Sequence, residues 1–97
     1  MDLARWKSFT LRQQIGHVTS EITRARIWEE KSDELSRQEA LIRALDLIDL
    51  ALVCSSQPRR REWARLREVV SDCFARTSVY AVSLSDLERH GLQFLAA

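Results

Sequence analysis

The stretch ALIRALDLIDLALV, residues 40–53, is aliphatic at every position except Arg43, Asp46 and Asp49. At roughly 100° per residue, a helix gathers Leu41, Ala44, Leu45, Leu47, Ile48, Ala51 and Leu52 into one broad arc. The same winding sets the three charges together across the helix from that arc. Ile42, Leu50 and Val53 stand among the charges, so the polar side is itself half apolar. A helix apolar around most of its circumference is central in its fold or has a second partner. The spacing predicts that this helix runs from about Glu34 to Cys54.

Upstream, Thr10 and Gln13 make a T-x-x-Q capping box, which opens an apolar series of Leu11, Ile15, Val18, Ile22 and Ala25. Those alternating steps of four and three predict an amphipathic helix to about Glu30. Gly16 beside the stripe suggests the close approach of another helix, because glycine otherwise weakens the element. Residues 31–33 are a polar turn offering Ser32 and Asp33 as caps. Downstream, Pro58 suits the first turn of a third helix, which carries Trp63, Leu66, Val70 and Cys73 on one stripe. The segment TSVYAVSL (77–84) reads as a partly buried connection, within which VYAV (79–82) alone has the character of a short strand. Ser85 and Glu88 form a second capping pattern, opening a short helix with Leu87, Gly91, Phe94 and Leu95. Long helices on short links pack antiparallel. The predicted fold is therefore all-α, a single domain over 1–97: an antiparallel helical bundle of three long helices plus a short C-terminal fourth helix.

Composition agrees. With 45% hydrophobic and 30% charged residues the chain is globular, and 2 Gly with 1 Pro are few for the turns of a β protein. A formal charge of +1 gives no global field toward nucleic acid or membrane. The N-terminus lacks the apolar run of a targeting segment, so a cytoplasmic location is expected, with no membrane association. Cys54 and Cys73 lack C-x-x-C spacing and nearby His, which argues for buried, reduced thiols.

The charged row of the central helix has a counterpart. His17, Glu21, Arg24 and Trp28 recur at helical spacing beside the first stripe. Glu21, Arg24, Trp28, Arg43, Asp46 and Asp49 are thus the candidates for an interhelical polar network or an interface, the alternative being i,i+3 pairs on a solvated face. On the network reading Asp46 and Arg43 lie at a covered helix–helix boundary, hiding Ile42, Leu50 and Val53.

In their order, SEITRARIWEE (20–30), ALIRALDLIDL (40–50) and RLREVVSDCF (65–74) resemble short bacterial helical proteins of unknown function. More loosely, a bundle of this size is similar to the HEPN and nucleotidyltransferase substrate-binding superfamily. That second resemblance implies an RNA-directed protein, or a companion of a nucleotidyltransferase or toxin–antitoxin system.

HEPN ribonucleases carry R-x4-6-H, and Arg12 with His17 has that spacing. It falls near the start of the chain, whereas the family's motif lies toward the C-terminus. Residues five apart on a helix also point about 140° from one another. The basic stretch RRREWARLR (59–67) offers phosphate contacts with Trp63 for stacking. Trp63, however, belongs to the apolar stripe, and Arg61 and Arg65 share their face with Glu68, Asp72 and Arg76. A solvated, ion-paired helix is expected, with nucleic acid an improbable partner. Neither His has companions at metal-ligand spacing, and G-x-S-x-G, P-loop and H-E-x-x-H motifs are missing. A small bundle is also expected to leave little room for a cleft. The reading is a non-enzyme, with no catalytic, metal or cofactor-binding residues. It is an interaction protein that self-associates, as a dimer for example, or docks on a protein partner.

Overall fold

The computed structural model describes residues 1–96; the domain expected over 1–97 thus extends one residue, Ala97, outside the described span. Five helices follow in order: α1 (Leu3–Lys7), α2 (Leu11–Glu30), α3 (Glu34–Cys54), α4 (Arg59–Ala75) and α5 (Leu84–Ala96). No strand occurs among the described residues. The expected helices are present, and α1 is an addition. Its five residues are too few to show a period, and it starts where the Asp2 carboxylate accepts the Arg5 N–H at 2.8 Å.

The capping box that opens α2 is formed in both directions. Gln13 N–H donates to the Thr10 hydroxyl at 3.1 Å, and Thr10 N–H donates to the Gln13 amide oxygen at 2.8 Å. Asp33 caps α3 by accepting the Ser36 N–H at 3.0 Å. Pro58 is the N-cap of α4 and supplies no side-chain acceptor. The box expected at Ser85 and Glu88 lies two residues earlier: Asp86 N–H donates to the Ser83 hydroxyl at 3.0 Å, and Ser83 N–H to the Asp86 carboxylate at 3.1 Å. Glu88 instead reaches α2, where Arg26 Nε lies 2.8 Å from its carboxylate. The Thr23 hydroxyl, and then Arg26, hold the Glu88 carboxyl below its ordinary range.

Packing centres on α3, which lies against α1, α2 and α4, while α5 covers the far side of α2. The core joins Val18, Ile22 and Ala25 of α2 to Ala40, Leu41, Ala44, Ile48 and Ala51 of α3, with Trp6, Trp63, Val70 and Leu84. The alanines of α3 let its neighbours approach closely. Trp63 is buried, as its place in the stripe requires, and its ring meets Trp6 edge-on at 6.4 Å. Gln14 ties α1 to α2 by donating from Nε2 to the Trp6 carbonyl at 3.0 Å. Both cysteines are free and half-buried rather than fully enclosed, and the Cys73 thiol donates to the Val82 carbonyl at 3.2 Å. Burial pushes that thiol above its ordinary range.

A second ionic contact closes α4. Arg37 is 1% exposed; its guanidinium meets Glu34 at 2.6 and 2.8 Å and donates to the carbonyls of Cys73 and Phe74 at 3.1 and 3.2 Å. Those carbonyls belong to the last turn of α4, where helices have unsatisfied acceptors. Arg76, left-handed at φ 55°, ends the helix and also reaches Glu34, at 2.8 Å. The connection after α4 is a mostly exposed loop without a strand, with Ser78 and Ala81 at φ 57° and 54°. Asp72 holds that turn: its carboxylate accepts the Thr77 hydroxyl and the N–H groups of Val79 and Tyr80, at 2.9 and 3.1 Å for the two amides.

Candidate functional site

Three of the six network candidates come together. Glu21, 8% exposed, accepts from Arg24 on its own helix and from Arg43 Nε on α3 at 2.7 Å. The other three do not join them. Asp49 pairs with Arg67 of α4, at 2.6 Å, a partner the pattern did not suggest. Asp46 is exposed and makes no side-chain hydrogen bond or ion pair among the described residues. Trp28 is half-buried, with Lys31 Nζ 5.2 Å from its ring centre. The expected cover over the interspersed aliphatics is also incomplete: Leu50 packs against the core, but Ile42 is 45% and Val53 64% exposed. The charged row faces α2 through Arg43 and α4 through Asp49, and between them it is open.

A concavity lies elsewhere. Because α4 packs on α3 while α5 packs on α2, a groove remains between α4 and the α2–α5 pair. Its volume is about 900 Å³, which corrects the expectation that so small a bundle leaves little room for a cleft. One wall is α2, with Leu11, Ile15, Val18 and Ile22. The opposite wall is α4, with Trp63, Leu66 and Val69. Leu87 and Phe94 enter from α5, and the α3–α4 turn closes one end together with Lys7 and Phe9. Leu11, Ile15 and Leu66 are half-buried against the core, whereas Phe94 is 43% exposed.

Charges border the groove on its exposed side. Lys7, Arg59 and Arg65 line it against one acid, Glu62, and none of the four is ion-paired among the described residues. The expected strip is mixed in sign, but its ion pairs do not run along α4 among the described residues; Arg67 and Arg76 pair with α3 instead. Asp72 turns inward to the loop, Arg76 pairs with Glu34, and Glu68 accepts the Tyr80 hydroxyl at 2.7 Å. In the segment 59–67, Arg67 is ion-paired and Arg60 donates to the Leu52 carbonyl at 3.0 Å. The sequence did hold a signal for the groove. Leu11, Ile15, Leu66, Leu87 and Phe94 offer more apolar surface than one pair of helices can cover. Which of those faces goes unmatched is decided by the order of packing, and the stripes do not encode that order.

Arg12 is exposed, and His17 is half-buried with its ring 4.6 Å from Phe9. Both lie on the continuous helix α2, where five-residue spacing separates their directions. No group of three or more metal-ligating side chains occurs among the described residues, and no described helix is long and apolar enough to cross a membrane. Comparison with protein-family models, with curated proteins and with solved structures finds no match to the chain.

Proposed function

We propose that this chain is a non-enzymatic interaction protein of the cytoplasm. Its three long helices and the shorter α5 form an antiparallel bundle that docks a protein partner or a second copy of itself. The observation that supports this is the open groove, about 900 Å³ and walled by aliphatic and aromatic side chains of α2, α4 and α5. A large contiguous apolar surface left in water marks an interaction site on a globular domain. Here Phe94, 43% exposed, and the half-buried Leu11, Ile15 and Leu66 supply its accessible part over a floor of core side chains. Two free thiols fit a reducing compartment.

An environment-sensitive apolar dye tests the groove. Its emission is expected to rise on the native chain and to fall back with Phe94→Asp, a change at an exposed position that leaves the melting temperature in place. Sedimentation of the purified chain then separates self-association from docking on another protein. A dye response unaffected by Phe94→Asp would count against the reading. So would RNA cleavage by the purified chain that disappears in both Arg12→Ala and His17→Ala, which would establish the RNA-directed alternative.

A further inference from the structure

We infer that the groove takes one amphipathic α-helix of a partner protein, and that this helix carries carboxylates beside its apolar face. The inference rests on the docking function proposed above and names the partner's chemistry. Three observations carry it.

The first is the wall chemistry. The groove is bounded by helices, so it has no sheet edge on which an extended peptide could add a strand. An extended segment would bring unpaired backbone N–H and C=O groups against Ile15, Leu66 and Val69, a costly burial. A helix satisfies its own backbone and presents side chains alone.

The second is length. The α2 wall runs from Leu11 to Ile22 and the α4 wall from Arg59 to Val69. At 1.5 Å per residue they are about 15–17 Å long, or three helical turns. Anchors at i, i+3 or i+4, and i+7 span about 10 Å and fit within that length.

The third is charge. Lys7, Arg59 and Arg65 border the groove without ion-pair partners among the described residues, and Glu62 is the one acid among the lining side chains. Carboxylates beside the occupant's anchors would meet them, while lysines there would be repelled. This chain is a poor source for such a helix. The exposed stripe of α3, with Ile42 and Val53 near Asp46, has α2 and α4 of its own chain on either side. Head-to-tail docking of that stripe would also build rings or open polymers.

The test is a displayed library of three- to four-turn helices. Anchor positions vary among Leu, Ile, Phe, Met and Ala, and flanking positions among Glu, Gln and Lys. The library is sorted on the full-length chain, with circular dichroism confirming that each variant used is folded. Enrichment of Glu at the flanks is expected. In isolated peptides, Glu-flanked sequences should bind roughly 10-fold more tightly than their Lys counterparts at low salt, the gap narrowing as salt rises. The Arg59→Glu, Arg65→Glu double variant should reverse the preference, and Phe94→Asp should abolish binding of both. Helices that need Phe94 but show no preference for Glu would overturn the charge assignment and leave the docking reading standing. Failure to enrich any helix, or helices indifferent to Phe94→Asp, would overturn both. Tighter binding of laurate or of a single-stranded RNA 12-mer, lost on Arg65→Glu, would replace the helix with that ligand. Concentration-dependent polymers abolished by Phe94→Asp would make the occupant a second copy.

Discussion

At the scale of single residues, the charged row around ALIRALDLIDLALV divides into side chains with different work. Glu21 is nearly enclosed and satisfies two arginines, one on each of two helices. Both arginines are about half exposed, so solvent screens much of their attraction. What makes Glu21 matter is its own burial: truncating it leaves Arg43 beside apolar surface without its acceptor. Glu21→Ala is expected to destabilise by more than about 1 kcal/mol, and Asp46→Ala to stay within about 0.5 kcal/mol. Chemical denaturation of the two variants side by side checks this, and equal losses would contradict the division. The periodicity of the row was legible, and it set Glu21, Arg24 and Arg43 among the candidates without deciding whether Glu21 or Asp46 takes the arginines. The open side of Asp46 was not legible, because angular position on a helix does not say how far a neighbour reaches around it. Arg37 was missed for a related reason. In sequence, Glu34 and Arg37 look like an exposed i,i+3 pair, and only the arrival of the α4 terminus buries that arginine.

At the scale of elements, the two glycines reverse the sequence expectation. Gly16 was read as the site of close approach, yet a Cβ there would meet Leu95 at 4.0 Å, an ordinary contact. The close approach is at Gly91 of α5, where a Cβ would fall 3.0 and 3.1 Å from Thr19 Cγ2 and Cβ and nearer still to its hydroxyl. Gly16→Ala is expected to stabilise by up to about 1 kcal/mol through helix propensity. Gly91→Ala is expected to destabilise, because overpacking of about 1–3 kcal/mol outweighs that gain. Thermal melts decide the signs, and adding Thr19→Ala to Gly91→Ala should recover part of the loss. The connection after α4 carries a pH dependence. The Thr77 hydroxyl, then the Val79 and Tyr80 amides, hold the Asp72 carboxyl below its ordinary value of 3.8. A carboxyl whose folded value is depressed stabilises above its unfolded value and loses that stabilisation as pH falls through the folded one. Amide exchange at Val79 and Tyr80 should therefore show loss of protection below pH 3.8, once intrinsic rates are allowed for. Asp72→Asn should remove the transition. The long helices and the caps of α2 and α3 were readable here because capping boxes and apolar stripes are local signals, whereas the Asp2 cap and the Ser83–Asp86 box were not. The loop's dependence on Asp72 was hidden, since the 3.6-residue period assigned that residue to the outward face.

At the scale of the whole molecule, the layout α5–α2–α3–α4 sets where the structure is strong and where it opens. The α2–α3 pair holds most of the buried aliphatics and the Glu21 network. By contrast, α4 packs on α3, is tied at its C-terminus by Arg37 and along its length by Arg67 with Asp49, and rests Trp63 on Trp6 near its start. Its groove side faces open space instead of a further helix. Local opening free energies follow such differences in buried contact. Native-state hydrogen exchange should find the slowest amides in α2 and α3, with α4 released in a smaller opening before global unfolding. Arg37→Ala removes the guanidinium that caps Cys73 and Phe74 and strands those two carbonyls, while Glu34 keeps Arg76 and Gln38. It should lower the α4 opening energy by about 3 kcal/mol while moving the α2–α3 amides less. Lysine should not rescue it, because a point ammonium cannot reach a carboxylate and two carbonyls in the fork geometry of arginine. If α4 exchanges together with α2 and α3 in wild type and variant alike, the groove wall is as rigid as the core. In that case a docked helix must fit a preformed cleft, with no gain in α4 protection on binding.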